Sequence, residues 1–374
     1  MAAMDSSVIR FGVIGTGMMG CEHIRNLLLV PGVQVSAIAD PDERSRGWGR
    51  LAAGTALDVY SDHRELLAKA AVDAVVIASP NHTHFAVLQD VFRTSKHVLV
   101  EKPLCTTVED CKRVVEQAAL HPAVTWVGME YRFMRPVARL VEEVHAGAIG
   151  RLQMLAIREH RFPFLKKVGD WNRFSRNTGG TLVEKCCHFF DLMNLVTRAR
   201  PVRVYASGAM DVNHRDELYA GERPDVLDNA FVTVDFDSGA RALLDLCMFA
   251  ENSTNEMEIA ATGDRGKAEA FIPAHRLVLT RRERNEPTTI EFHVDSRARE
   301  AGAHHGATFL EHLAFRDAIR ANSKPLVSAE AGALAVAMGA AGEISARERR
   351  PVELRELGIS APAQLASSRT SSIT

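Results

Sequence analysis

The segment GGTLVEKCCHFFD, residues 179–191, places a carboxylate, a histidine and a second carboxylate directly after two glycines. In a helix, Glu184, His188 and Asp191 would lie on one face, because residues three and four positions apart are neighbours there. A histidine with acidic neighbours is suited to moving a proton near neutral pH. The segment therefore predicts acid–base chemistry. A buried structural histidine and a metal site are the alternatives, and the metal is disfavoured because no further His or Cys cluster accompanies the motif.

A glycine motif, GTGMMG, stands between the apolar run RFGVI and a helical stretch. In this context the first glycine permits a tight turn, the second lets backbone approach a pyrophosphate, and the third allows close helix–strand packing. Asp40 ends the next apolar run, where a carboxylate binds ribose hydroxyls and repels a 2′-phosphate. The sequence thus predicts a dinucleotide site that favours NAD over NADP, a preference that Arg44 and Arg46 would soften. The predicted contacts are Gly15, Gly17, Met18, Met19, Gly20 and Asp40.

Two further loops follow apolar strands and are predicted to line the cofactor pocket, since a doubly wound sheet presents ligand contacts at the carboxyl ends of its strands. The first is SPNHTH at 79–84 and the second is EKP at 101–103. The proline of EKP requires a special backbone geometry, such as a cis bond, that would aim Lys102 at the ligand. Burial beside an oxidised nicotinamide would lower the pKa of this lysine. The predicted contacts are Ser79, Asn81, His84, Glu101 and Lys102.

The composition is that of an ordinary globular protein, with 374 residues of which 46% are hydrophobic and 25% are charged. The net charge of −2 gives no electrostatic reason to expect nucleic acid or an anionic membrane as a partner. No basic segment leads into an apolar stretch near the N-terminus and no apolar run is long enough to span a membrane, so we expect a cytoplasmic location. Six cysteines without a CxxC pair or zinc spacing predict reduced thiols, with neither a disulfide nor a metal.

The order of apolar patterns divides the chain in two. Apolar runs alternate with amphipathic stretches as far as residue 128, which predicts a doubly wound, parallel Rossmann sheet covered by helices. Beyond it, strand candidates with period-two alternation follow in series, which favours an open, mostly antiparallel sheet, closed by helices near 308–321 and 329–347. The predicted α/β fold therefore has a dinucleotide domain at 1–128, a substrate-binding α/β domain at 129–360 and a disordered tail at 361–374.

Three motifs in this order resemble the glucose-fructose oxidoreductase, inositol dehydrogenase and rhizopine catabolism protein (Gfo/Idh/MocA) family. They are AD at 39–40, EKP at 101–103, and GG followed by a carboxylate, a histidine four residues later and an aspartate three beyond it. The resemblance implies a Rossmann domain, a second α/β domain whose sheet forms homodimers or homotetramers, and NAD(P)-dependent oxidation or reduction of a sugar or cyclitol hydroxyl. By the same resemblance, Lys102 and His188 are catalytic.

Departures from the family pattern concern the substrate. The first carboxylate of the motif is usually aspartate and here is Glu184, and Lys185 and Cys186 are also unusual. The family often places substrate contacts at Trp171 and Arg173, before the two glycines. The predicted substrate-binding set is Lys102, Tyr131, Arg132, Trp171, Arg173, Glu184, His188 and Asp191.

The resulting hypothesis is that His188 removes a hydroxyl proton as hydride passes to the nicotinamide, while Lys102 stabilises the developing alkoxide. Glu184 or Asp191 would hold the imidazole in one tautomer, and the predicted catalytic set is Lys102, Glu184 and His188. Two alternatives stay open. One is a redox-neutral glycosidase that keeps NAD bound, and the other is a non-catalytic regulatory protein that senses a dinucleotide.

Overall fold

The structure, a computed structural model, describes residues 8–284 and 286–359. The tail predicted at 361–374 lies outside the described residues. The described chain forms a six-stranded sheet followed by a nine-stranded sheet. The prediction of a Rossmann sheet followed by a second α/β unit is confirmed.

The first sheet is parallel throughout and has the strand order β3-β2-β1-β4-β5-β6. Its strands are β1 (Ile9–Ile14), β2 (Val33–Ala39), β3 (Asp58–Tyr60), β4 (Ala74–Ile77), β5 (His97–Glu101) and β6 (Thr125–Gly128). All of β4 and most of β1 and β5 are buried, as expected of strands with helices on both faces. In this strand order the topological switch point lies between β1 and β4, where a dinucleotide binds at the carboxyl ends of the strands.

Five helices accompany the first sheet: α1 (Met18–Leu27), α2 (Glu43–Ala53), α3 (His63–Lys69), α4 (His84–Val91) and α5 (Val108–Leu120). The side chains of Asp42, Asp62 and Thr107 cap α2, α3 and α5 by accepting hydrogen bonds from backbone N–H groups. Gly17 precedes α1 and provides no side-chain cap. The first N–H groups of α1 therefore lack a side-chain acceptor, which suits this end of the helix to an anionic ligand.

The second sheet has the order β14-β13-β12-β11-β7-β10-β9-β8-β15 and is antiparallel except between β7 and β10. Its strands are β7 (Leu152–His160), β8 (Pro201–Ala209), β9 (Asn229–Phe236), β10 (Arg241–Cys247), β11 (Met257–Gly263), β12 (Gly266–Ile272), β13 (Arg276–Arg281), β14 (Thr288–Glu291) and β15 (Val352–Glu353). Alternate residues of β9 are buried and exposed, so one face of the sheet packs on helices and the other is open.

Seven helices follow β6: α6 (Arg135–His145), α7 (Ser175–Thr178), α8 (Thr181–Glu184), α9 (Cys187–Thr197), α10 (Ser296–Glu300), α11 (Ala307–Ala321) and α12 (Ala329–Glu348). We expected the last two to close the second domain, but they also join the domains. The Phe315 ring of α11 lies 5.9 Å from the Phe11 ring and 5.7 Å from the Trp126 ring, both on strands of the first sheet. Helix α12 packs against α5, α8 and α9.

None of the described helices is long and apolar enough to cross a membrane. All six cysteines are free thiols, five of them buried.

Candidate active site

Two of the three glycines in the glycine loop are required by packing within the protein, and the other leaves space for a ligand. Gly15 has a φ of +88°, and a Cβ there would collide with the backbone of Ser79. A Cβ at Gly20 would collide with the carbonyl oxygen of Gly15. A Cβ at Gly17, however, would meet nothing within 4 Å. Close packing therefore explains the first and third glycines, and the space beside the second, at the N-terminus of α1, fits a pyrophosphate.

Asp40 follows β2 directly, as predicted, and lies against the glycine loop. Its carboxylate accepts hydrogen bonds from the Thr16 N–H at 2.8 Å and the Asp42 N–H at 2.9 Å. Arg46 donates to the carbonyl oxygens of Asp40 and Pro41, and the Arg44 guanidinium lies over the Trp48 ring. Both arginines that would accommodate a 2′-phosphate are thus engaged by the protein, which favours NAD.

The loop after β4 contains one side chain with an unmet hydrogen-bonding group. The Nδ2 of Asn81 is buried and has no hydrogen-bond partner among the described residues, so it fits a ligand acceptor. Ser79 is half-buried, and its hydroxyl bonds the Thr83 hydroxyl at 2.7 Å. The fully buried ring of His84 lies between the carbonyl oxygens of Pro103 and Ser79, at 2.9 Å and 3.0 Å. We predicted a cofactor contact for His84, whereas its ring nitrogens are used to hold this loop against EKP.

The Lys102–Pro103 bond is cis, as the sequence suggested. The Glu101 carboxylate lies 2.7 Å from Nε2 of His23 on α1 and accepts from the Lys102 N–H, so it positions the loop and has little left for the predicted cofactor contact. Lys102 Nζ donates to the Glu184 carbonyl oxygen at 3.0 Å and lies 3.8 Å from Oε1 of its carboxylate. Burial acts to lower the pKa of Lys102, but acidic neighbours, Glu184 foremost, hold that pKa above its usual value. The protein's own groups therefore raise the pKa of Lys102, and the lowering expected beside an oxidised nicotinamide stays a prediction.

The segment 179–191 is not one helix. Gly179 and Gly180 have φ values of +83° and +95°, and a Glu343 carboxylate from α12 accepts the Leu182 N–H at 2.8 Å. The carbonyl oxygen of Thr181 accepts from both Lys185 and Cys186, which ends α8 before α9 begins. The prediction of one continuous helical face is therefore wrong. The carboxylates of Glu184 and Asp191 contact other residues and not His188.

His188 lies in the first turn of α9, fully enclosed by protein. Its ring stacks on that of Tyr131, with 4.1 Å between centroids and 6° between planes. Nε2 is 3.5 Å from Oε1 of Glu130, and Nδ1 has no hydrogen-bond partner within residues 8–284 and 286–359. Burial lowers the pKa of His188 well below its usual value, and the nearby charges of Lys102 and Lys185 act in the same direction. The imidazole is neutral near pH 7 and is able to accept a proton.

Lys185, whose role the sequence left open, holds Tyr131 in place. Its buried Nζ donates to the Tyr131 hydroxyl at 2.7 Å and pairs with Glu159 at 2.8 Å. With its hydroxyl bonded and its ring stacked on His188, Tyr131 positions the imidazole. The predicted substrate contact through Tyr131 is not supported.

Arg132 and Asp191 were predicted to contact substrate, but they bind each other. Two guanidinium nitrogens of Arg132 donate to the two carboxylate oxygens of Asp191, and a third donates to the Leu326 carbonyl. Asp191 therefore does not hold His188 in one tautomer. Glu184 does not do so either, because it contacts Lys102 instead of His188. The Arg132–Asp191 pair fixes α9 to the turn after β6.

The two predicted contacts before the glycines lie in different surroundings. The Trp171 ring lies 6.1 Å from the His82 ring of the first domain, so Trp171 stands at the domain junction. Buried Arg173 donates to Glu217 and Tyr219 and lines a separate cavity of about 440 Å³. The partners of Arg173 are not residues of the Lys102 and His188 group, so the structure does not bring it into the predicted site.

Comparison with known families decides the identity of this arrangement. The model of an oxidoreductase family with an NAD-binding Rossmann fold matches residues 9–129, and the model of that family's C-terminal alpha/beta domain matches residues 141–354. The chain belongs to the Gfo/Idh/MocA family. The resemblance drawn from the three motifs is confirmed, and residues 9–129 are the NAD-binding domain of a Gfo/Idh/MocA oxidoreductase.

Individual relatives span nearly the whole chain. The myo-inositol 2-dehydrogenase of Thermotoga maritima is 28% identical over 93% of this chain and 99% of its own. A crystal structure of a probable dehydrogenase from Thermotoga maritima has a TM-score of 0.76 at 27% identity, covering 93% of this chain and 100% of that chain. The scyllo-inositol dehydrogenase of Lactobacillus casei, solved with NAD(H) and scyllo-inositol, has a TM-score of 0.74 at 20% identity over 93% and 100% of the two chains. That last likeness concerns the fold alone.

Sequence reasoning missed two polar residues beside His188 in this Gfo/Idh/MocA protein. Oε1 of Glu130 lies 3.5 Å from Nε2 of His304. Among the described ion pairs, Glu130 is the carboxylate nearest to His188. The position of Glu130 just after β6, at the carboxyl edge of the sheet, was a usable signal. His304 lies in the loop before α11, and no local pattern marks it.

Proposed function

We propose that this Gfo/Idh/MocA protein is an NAD-dependent dehydrogenase that oxidises a hydroxyl of a cyclitol or sugar. One observation carries the proposal: a neutral, buried His188 and a charged Lys102 lie together at the junction, beside the carboxyl ends of the Rossmann strands. The relatives named as inositol dehydrogenases support a cyclitol or a related polyol as the substrate class.

The residues present on the Rossmann side of the junction fit NAD. The space at Gly17, the carboxylate of Asp40 and the unpartnered Nδ2 of Asn81 would hold the cofactor. When bound, NAD supplies the hydride acceptor.

The protein's own residues handle the hydroxyl. His188 accepts the hydroxyl proton, since its depressed pKa keeps the imidazole neutral. The ammonium of Lys102 stabilises negative charge that develops on the same oxygen. The Glu184 carbonyl and carboxylate hold Lys102. The buried Oε2 of Glu184 has no hydrogen-bond partner among the residues that the structure describes, so it accepts a hydrogen bond from a neighbouring substrate hydroxyl.

The test is NADH formation, followed by absorbance, across a panel of inositols, aldoses and glycosides. With at least one cyclitol or sugar, one NADH should form for each substrate hydroxyl that is oxidised. His188→Asn and Lys102→Met should lose this turnover and still bind NAD in fluorescence titrations. The control Lys69→Met, at an exposed position on α3, should keep both.

The two alternative functions give different results in the same panel. A redox-neutral glycosidase would cleave a glycoside without net NADH. A dinucleotide sensor would bind NAD tightly and oxidise nothing. Either result would overturn the dehydrogenase proposal.

The open face of the second sheet supports a homo-oligomer. Tyr205 and Phe231, on the paired strands β8 and β9, are 42% and 60% exposed, and apolar residues presented together on a surface mark interaction sites. This face is the interface of a homodimer or homotetramer. Light scattering should give a multiple of the chain mass, and Phe231→Glu should reduce it to one chain. A wild-type monomer would contradict the assignment.

A further inference from the structure

Glu130 is a buried carboxylate whose oxygens are unpartnered in the described part of the chain. It is 2% exposed, and neither side-chain oxygen has a hydrogen-bond partner there. Oε1 lies 3.5 Å from Nε2 of His188 on one side and 3.5 Å from Nε2 of His304 on the other. Burying a carboxylate in this way is unfavourable unless it shares a proton or a charge with its neighbours. The geometry places Glu130 between the two imidazoles.

Beyond Glu130, the arrangement continues toward the surface. Nδ1 of His304 lies 2.6 Å from Oε1 of Glu22 on α1, and Glu22 also accepts from the Ala303 N–H and the Thr308 hydroxyl. These contacts fix the His304 ring with Nδ1–H donated to Glu22 and Nε2 directed to Glu130. The His304 side chain is 21% exposed and lines a cavity of about 70 Å³, large enough for a water molecule. A continuous series of polar groups thus leads from enclosed His188 to solvent.

The protonation behaviour of the two groups suits proton exchange near neutral pH. Burial raises the pKa of Glu130 to about 7, with Glu101 acting in the same direction and His304 and Lys102 acting against it. Burial acts to lower the pKa of His304, but Glu130 and Glu22 outweigh it and hold that pKa above its usual value. Other charged or titratable groups also face this pair: His188 on α9, Glu101 and Lys102 at the end of β5, His305 beside His304, Glu311 on α11, Tyr131 and Cys187.

We propose that Glu130 and His304 carry the proton that His188 takes from the substrate hydroxyl out to solvent. The inference rests on the proposed dehydrogenase function, because oxidation of a hydroxyl by NAD leaves one proton per turnover. The hydroxyl O–H bond breaks as the unpartnered Nδ1 of His188 takes the proton, and the Nε2–H bond of the same ring breaks as Oε1 of Glu130 takes that proton. Nε2 of His304 then takes the proton from Glu130 and releases it to water in the adjoining cavity. His304 keeps its Nδ1 proton, whereas His188 is left with its proton on Nδ1 and returns to the Nε2–H tautomer when its ring flips between turnovers.

His304→Ala is the decisive variant, because it removes the outer member of the series at a partly exposed position. General acid–base groups contribute roughly 10² to 10⁴ in rate, and for a group separated from the substrate by His188 and Glu130 we expect a loss of about tenfold in kcat at low buffer concentration. Added imidazole should restore kcat in a concentration-dependent way, while KM for NAD stays unchanged. A purely structural role for His304 would lower the melting temperature but would give no rescue by imidazole.

Glu130→Gln should lower kcat to a similar degree. Added imidazole should not restore it, because the missing proton acceptor lies inside the protein, out of reach of solvent. The matched control is Glu311→Gln, which replaces another buried carboxyl of the same region that accepts a hydrogen bond from Trp126. Burial, and then Glu130, hold the pKa of Glu311 well above its usual value, so this substitution leaves the charge near Glu130 unchanged. The Glu311→Gln variant should keep the wild-type kcat, and this kcat should not depend on buffer concentration. If His304→Ala also kept kcat at every buffer concentration, the proton route would be overturned while the dehydrogenase function stood.

A measurement without turnover separates the two proposals. In nuclear magnetic resonance titrations of the cofactor-free protein, the His304 ring should titrate above the ordinary value of about 6.5, and Glu130→Gln should lower its pKa. Absence of this coupling would overturn the proton route whatever the activity. If the coupling is present but no polyol is oxidised, the dehydrogenase function fails and the Glu130–His304 pair itself is upheld.

Discussion

The glycine-loop side of the domain junction and the α8–α9 side differ in how their polar groups are partnered. On the first side, α1 lacks a side-chain cap at Gly17 and Asn81 has an unpartnered Nδ2. On the second side, Arg132 is bound to Asp191, and Lys185 is bound to Tyr131 and Glu159. The first side presents hydrogen-bonding groups to a ligand, whereas the second uses most of its charges to hold itself together.

This difference indicates separate tasks. A dinucleotide is bound largely by backbone and by a few side chains from one continuous segment, so the binding side needs little long-range support. The chemical side must hold one imidazole and one ammonium within narrow limits, which requires buried pairs between distant segments. Substitutions should therefore change cofactor affinity on the first side, and turnover or folding stability on the second.

The sharpest test of this division is His188→Asn. We expect kcat to fall by roughly 10² to 10⁴, the usual contribution of a positioned acid–base group, while NAD affinity stays unchanged. Steady-state kinetics and a fluorescence titration with NAD measure the two quantities. An equal loss of NAD affinity would mean that the two sides are not separable.

The stability half of the comparison is tested at Asp191. Asp191→Ala leaves the buried Arg132 guanidinium without its partner, and removing one member of a buried ion pair costs about 3–5 kcal/mol. Urea unfolding should give this loss in the free energy of unfolding. The double variant Arg132→Met with Asp191→Leu should recover much of it, and failure to do so would mean that the pair itself contributes little.

On the binding side, Asp40→Ala should weaken NAD affinity and relax discrimination against NADP. Hydrogen bonds to charged groups contribute roughly 1.5–3 kcal/mol, which corresponds to about a tenfold to hundredfold rise in Kd. Calorimetric titration with both cofactors measures the change. The matched control is Asp62→Asn, which removes a carboxylate that also accepts a backbone N–H but caps α3. An unchanged NAD to NADP ratio for Asp40→Ala would contradict the ribose contact.

The smallest expected effect is a shift in pH dependence. Neutral His188 is the active form, and its pKa is depressed by burial and then by Lys102 and Lys185. The proton-abstraction step, measured as kcat/KM, should therefore persist below the ordinary histidine pKa of about 6.5 and fall only as pH drops through the lower value. In contrast, kcat includes proton release through Glu130 and should already decline as Glu130, with a pKa of about 7, becomes protonated. In Lys185→Met one positive charge is gone, so the acidic limb of kcat/KM should move to higher pH, by about one unit, since a nearby charge contributes on the order of 1 kcal/mol. Lys69→Met should leave the limb in place.

The sequence predicted those parts of the molecule in which function depends on neighbours along the chain. The GTGMMG loop, Asp40 after β2 and the cis bond of EKP are all local, and each lies as expected. The alternation of apolar residues was also sufficient for the open sheet.

What the sequence could not supply is pairing between distant segments. Asp191 was assigned to His188 from helical spacing, but the guanidinium of Arg132 offers two hydrogen bonds that no neighbouring histidine matches. The break after α8 depends on one carbonyl, that of Thr181, accepting two N–H groups. Glu130 and His304 come together only because α11 returns to the first domain.

That return of α11 has a consequence for synthesis of the chain. An N-terminal domain usually folds as it leaves the ribosome, but here the aromatic ring that packs between Phe11 and Trp126 is Phe315. The core of the Rossmann sheet is therefore incomplete until most of the chain has been translated. Until then the nascent protein carries an unfilled apolar site beside its cofactor-binding strands, and its two domains finish folding together.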